Sequence, residues 1–430
     1  MALPLFSPIR QNLQQPVIRN VGEEVRSQWQ KSGVGRRLRR GDRVAVGVGS
    51  RGIANVATIV RTTLKTLRDW GTQPFMVAAM GSHGGATAEG QRQLLADYGI
   101  SEQNLGVPVK TDMAAVQIGT NSWGEPVFWD KNALAADAVI TISRIKPHTD
   151  FRGRYESGIT KMLVIGLGKR EGASQHHRWG FRGLRDMLPE SAKVVLEKTP
   201  FVAGLGVLEN AKEETALLKV VEREQLLEEE PPLLEKARGL MGRLPFEKLD
   251  LLVIGVIGKN YSGAGIDPNV VGRLLIEGEA DFESPKITRI GALDLSPESH
   301  GNGTGVGIAD LTTDRLLAQI DPVPFRMNNL TACFLWRSKL PIGFPTDREC
   351  IEAGIATCWQ PHASSLKMAV IPNTLELTEL WVSAAALEEA RQKAHLEIAG
   401  ALQAMPFDAA GNLKQAVLFP RCVRARREHK

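Results

Sequence analysis

The sequence predicts an α/β protein of two domains with parallel-rich sheets and an active-site cleft between them. β-branched runs alternate with helical patterns, and several of these runs empty into glycine loops. The chain, at 430 residues, also exceeds what a single hydrophobic core organises. The domains are expected at residues 1–240, carrying the chemistry-bearing side chains, and 245–430, closing the cleft.

Arg43–Val48 reads as a strand and Gly49-Ser50-Arg51-Gly52 as a turn. Ile53–Trp70 follows as a helix, with Ile53, Val56, Ile59, Val60, Leu64 and Leu67 on one face. Pro74–Met80 is the next strand and runs into Gly81-Ser82-His83-Gly84-Gly85. Thr87 then caps a helix at Ala88–Tyr98, with Glu89 in its first turn. Ala138–Ser143 is another short strand. Pro147 biases Lys146 toward extended backbone, which places His148 just past that strand's end. The charged, helical stretch Glu222–Arg243, interrupted at Glu228–Pro232, reads as the connection between domains. Beyond it, Leu249–Ile257 and Ile290–Leu295 are strands leading to the glycine loops Gly258–Gly265 and Ser299–Gly305. Ala385–Ala404 reads as a late helix.

Composition excludes several classes. Apolar residues at 43% and charged residues at 23% are ordinary for a globular protein, and a net charge of +5 is small. The clusters Arg36–Arg40 and Arg421–Lys430 lack interleaved aromatics, so nucleic acid is not an expected partner. Cys333, Cys350, Cys358 and Cys422 have neither disulfide-framework nor zinc-site spacing. The N-terminus lacks the charge and apolar pattern of a signal peptide. The apolar run near Leu249–Ile257 falls short of the roughly 18–20 residues a membrane span needs. A cytoplasmic protein without a membrane partner is expected; a homo-oligomer is left open.

The densest chemistry lies between Ser143 and His177. Gly47-x-Gly49-x-x-Gly52 satisfies the dinucleotide fingerprint formally, but the acid expected about 20 residues further on is replaced by Met80-Gly81-Ser82-His83. The turn is better suited to a smaller anion held by backbone amides and Arg51; Ser50 in it is assigned to cofactor binding. His83 and His148 stand at strand ends, where two imidazoles on neighbouring loops can act as acid and base. Lys161, at the mouth of Met162–Gly166, is a candidate for a covalent or phosphate-binding role. The pair His176-His177, beyond a turn at Gly172-Ala173, can offer at most one metal ligand.

GSHGGAT around His83, IKPHTDF around His148, SGITKM at Lys161 and the histidines after Gly172 together resemble the nickel-dependent lactate racemase family. The loops GKNYSGAGIDPNVVGR and SHGNGTGVG resemble homologues within that family more closely than lactate racemase itself. The resemblance implies a nickel-pincer nucleotide cofactor. In it, Lys161 is the thioamide anchor, His177 the nickel ligand with His176 as fallback, His83 and His148 the acid/base pair, and Arg51 the partner of a substrate carboxylate. It further implies a racemase or epimerase of a 2-hydroxy acid working by hydride relay. Val48 and Gly52 replace the aspartate and proline usual in the first turn. Arg273 is the nearest cation to the place of the family's second-domain lysine, and the His148–Lys161 gap is longer than in the lactate enzyme. The alternative readings are a nicotinamide-dependent oxidoreductase, which lacks its second-strand acid, and a non-catalytic nucleotide- or ligand-binding protein.

Overall fold

The computed structural model describes residues 3–50 and 52–422. Two compact units divide the chain: Gln15–Met241 is one, and Met1–Gln14 together with Gly242–Lys430 is the other. Strand β1 (Phe6–Gln11) therefore does not join the domain expected at 1–240. It pairs antiparallel with Glu379–Ser383 and Leu396–Ile398.

The Gln15–Met241 unit is built on β2 (Arg43–Val48), β3 (Gln73–Ala78), β4 (Val109–Lys110), β7 (Ala138–Arg144), β8 (Phe201–Glu209) and β9 (Thr215–Glu222), in the order β4-β3-β2-β7-β8-β9. All neighbours are parallel except the last pair. Strands β5 (Ala115–Thr120) and β6 (Pro126–Asp130) form a separate antiparallel hairpin. The central strands are buried on both faces, which is why they read as near-continuous apolar runs. Val44, Val46 and Val48 pack with Ile59, Val60, Leu64 and Leu67. Ala45 and Val139 face the other way, toward Leu163, Val164 and Leu188. The helix after β2 spans Val56–Asp69, starting later than its apolar spacing suggests, because Asn55 is left-handed (φ 61°) and prolongs the turn.

The helical segment expected to link the domains runs uninterrupted over Leu226–Leu240 and packs inside this unit. Proline inside a helix leaves the carbonyl four residues earlier without its donor. For Pro231 that carbonyl is Leu227 O, and the Tyr155 hydroxyl donates to it at 2.7 Å. A tertiary hydrogen bond thus supplies the donor the sequence removed.

The other unit carries β10 (Lys248–Ile254), β11 (Lys286–Ala292), β12 (Leu311–Thr313), β13 (Ile342–Phe344), β14 (Met368–Ile371), β15 (Glu379–Ser383) and β16 (Leu396–Ile398). With β1 they order as β13-β12-β11-β10-β14-β15-β1-β16, parallel from β13 to β14 and antiparallel thereafter. The late helix is short, Ala384–Ala390; the residues after it extend and pair with β1 as β16, so edge pairing overrides helix propensity. Among the described residues, no helix is long and apolar enough to cross a membrane.

Candidate active site

Strands β3, β2 and β7 are adjacent and parallel, so the loops leaving their C-terminal ends share one edge of the sheet. That edge is where open α/β sheets bind ligands. It carries Ser50 after β2, His83 after β3 and His148 after β7. The two histidine loops are not immediate neighbours, because β2 and the Ser50 turn lie between them. Arg51 lies outside the described residues.

His83 sits in a loop that only glycine can build cheaply. Gly81, Gly84 and Gly85 have φ of 57°, 65° and 65°, and a Cβ on Gly84 would meet the Gly90 backbone at 2.7 Å. Gln91, fully buried, donates to Gly81 O at 3.0 Å and His83 O at 3.2 Å. The exposed imidazole then meets Ser50, whose hydroxyl shares a hydrogen bond with Nδ1. Ser50 is itself steadied by the Tyr98 hydroxyl, which donates to its carbonyl at 2.9 Å. Ser50 thus orients His83, a contact its assignment to cofactor binding did not foresee.

His148 and Lys161 come together. The His148 Nε2 and Lys161 Nζ are hydrogen-bonded, and the ring stacks at a tilt on Phe151 with centroids 4.6 Å apart. Burial, and next the Lys161 charge, push the His148 pKa well below its ordinary value, so the imidazole is neutral at neutral pH. The Asp150 amide donates to its Nδ1 at 3.1 Å. The His148 loop is pinned by Glu156. That fully buried carboxylate accepts from His148 N at 2.6 Å and Gly153 N at 3.0 Å, and pairs with Arg152 and Arg238. The loop closes where Lys146 and Ser157 exchange backbone hydrogen bonds.

Gly172 and Ala173 form no turn. They lie inside the helix Lys169–His177, and adjacent helical residues point about 100° apart. His176 is therefore a packed histidine: its Nδ1 bonds Gly172 O at 2.8 Å and its Nε2 bonds the Ser191 hydroxyl at 3.0 Å. With both nitrogens engaged, it has no lone pair to spare for a metal. His177 lies on a different side of that helix, where burial and next the charge of Lys161 lower its pKa to about 4. Its Nδ1 is shut off from solvent with no hydrogen-bond partner among the described residues. Among those residues no group of three or more His, Cys, Asp or Glu could hold a metal ion. A metal at His177 would have to draw most of its ligands from a bound group.

Two further residues carry no obvious signal in the sequence. Lys169 is fully buried, donating to Ala78 O at 2.8 Å and paired with Asp130 at 2.7 Å, and so ties the His177 helix to the end of β3. Glu230, from the helix Leu226–Leu240, is 1% exposed; it accepts from Thr160 N at 2.8 Å and from the Thr160 hydroxyl at 2.6 Å. Burial raises its pKa to about 7.

Residues 34–185 match the family model described as the lactate racemase N-terminal domain. That span includes His83, His148, Lys161 and His177. No curated protein matches the chain. Among solved structures, the lactate racemase apoprotein from Thermoanaerobacterium thermosaccharolyticum is similar in fold. It is 13% identical, with a TM-score of 0.50, over 85% of this chain and 94% of that one.

Proposed function

We propose that this chain belongs to the lactate racemase family and is an isomerase that inverts the Cα centre of a 2-hydroxy acid, with a nickel-pincer nucleotide as its resident cofactor. The supporting observation is local to this chain: a solvent-shielded His177 Nδ1 with no hydrogen-bond partner among the described residues, on a side chain that feels the charge of Lys161, which itself meets neutral His148. In this reading Lys161 is the covalent anchor of the group and His177 its protein ligand to nickel, imidazole with sulfur being a donor set that suits nickel. When bound, the group supplies a hydride acceptor and donor, which spares the substrate a carbanion.

The chain's own residues handle the rest. His148, held neutral by burial and Lys161, is ready to accept the hydroxyl proton of one enantiomer. His83, set by Ser50 on another loop of the same sheet edge, serves the opposite hand. Arg51 is assigned to the substrate carboxylate as a fork-shaped partner. Lactate is one member of the substrate class.

The test is intact mass and elemental analysis of protein made in cells that synthesise the cofactor. Lys161→Ala should lose the organic adduct. His177→Ala should keep the adduct and lose nickel, whereas His176→Ala should keep both. An adduct persisting in Lys161→Ala would remove the anchor assignment.

A further inference from the structure

The helix Leu226–Leu240 holds both partners of the Lys161–His148 contact from behind. Arg238 reaches Glu156, which carries the His148 amide, and Glu230 reaches the turn that carries Lys161. Glu230 is the more unusual of the two. Glu156 has two arginines beside it, but no ion pair compensates Glu230 among the described residues. Its surroundings are the backbone of Ile159 and Thr160 and the Thr160 hydroxyl, all of them donors. A carboxyl buried without a cation is costly, and apolar packing alone would not ask for one.

The turn it holds needs an outside acceptor. The helix Ile159–Lys161 is three residues long and its N-cap, Gly158, offers no side chain. Its first amides are therefore without intrahelical partners. A side chain from a sequence-distant helix takes them. Gly158 is also required for that approach, because a Cβ there would collide with the Glu230 carboxyl group. Lys161 follows directly, and Met162 begins the π-helical turn that runs to Gly166.

We propose that Glu230 is the positioning residue for Lys161, fixing the start of its turn so that the Lys161 amine is presented beside His148 for attachment of the cofactor. The cofactor role of Lys161 rests on the function proposed above; the positioning of its turn does not. Glu230→Gln keeps an oxygen for the two Thr160 bonds and gives up the bond to Ile159, whereas Glu230→Ala gives up all three.

The experiment compares both variants, as full chains, by amide hydrogen exchange in the cofactor-free protein and by adduct yield on Lys161 after production in cofactor-making cells. Glu230→Ala should speed exchange in the segment 158–162 by roughly ten- to hundredfold, leaving β2 and β3 unchanged. Its adduct yield should fall severalfold, and Glu230→Gln should recover most of both. Unchanged exchange in Glu230→Ala overturns the proposal, as does a normal adduct yield on a loosened segment. If wild type takes no adduct at all, the cofactor reading fails, and the exchange result alone decides whether Glu230 holds this turn.

Discussion

Replacing Glu230 by glutamine should change how the stability of the Gln15–Met241 unit depends on pH. Burial raises the carboxyl from 4.5 to about 7 in the folded protein. Between those values the folded state keeps a proton that the unfolded chain has released. The contribution is therefore fully present below about 4.5 and is lost as pH rises through 7. Each pKa unit corresponds to about 1.4 kcal/mol, so between pH 5 and pH 8 the loss comes to about 2–3 kcal/mol. Glutamine does not titrate, so wild type should lose that amount relative to Glu230→Gln across this range. His148, His176 and His177, all with lowered pKa values, act with the opposite sign: their contribution falls as pH drops below 6.5. They are present in both proteins and cancel in the difference. Tyr155, which feels the Glu230 charge, is itself raised above 10.0 and titrates outside the range. For a domain of this size the effect corresponds to roughly 5–10 °C in the melting temperature. Calorimetry of both proteins at pH 5, 6.5 and 8 gives the difference directly. Parallel curves would show that folding does not raise the Glu230 carboxyl above its unfolded value, and the reasoning from its burial would fall.

Three other outcomes are expected. His83→Ala and His148→Ala should each reduce interconversion of a 2-hydroxy acid about 10²–10⁴-fold, measured from both enantiomers; near-normal turnover in both would remove the acid/base assignment. The epimer formed in heavy water should retain protium at Cα, as a relay through hydride requires, and stoichiometric deuterium there after one turnover would favour two-base proton transfer. Lys169→Met should cost about 3–5 kcal/mol by leaving Asp130 buried without its cation, and Asp130→Asn in the same chain should recover a large part in denaturant titrations.

The parallel strands β2, β3 and β7 and the glycine loops after them were legible because their signals are local. A β-branched run, a left-handed glycine and a proline each act within a few residues. Those signals place His83 and His148 each at a strand end without any knowledge of packing. The ordered motifs likewise led to the lactate racemase resemblance, which the match over residues 34–185 supports.

What depended on the tertiary structure involves partners far apart in sequence. Which of His176 and His177 bonds Ser191, and which keeps a nitrogen without a hydrogen-bond partner among the described residues, turns on about 100° of helix rotation. The Leu226–Leu240 helix reads as a broken, charged linker until Tyr155 supplies the donor its proline removed and Thr160 supplies donors for Glu230. Strand β1 joins the other unit through edge pairing with residues near the far end of the chain. Local sequence determines which residues stand on the loops. Burial and hydrogen bonds across long separations decide which of them are neutral and which are pinned, because those energies exist only once distant segments have excluded water from one another.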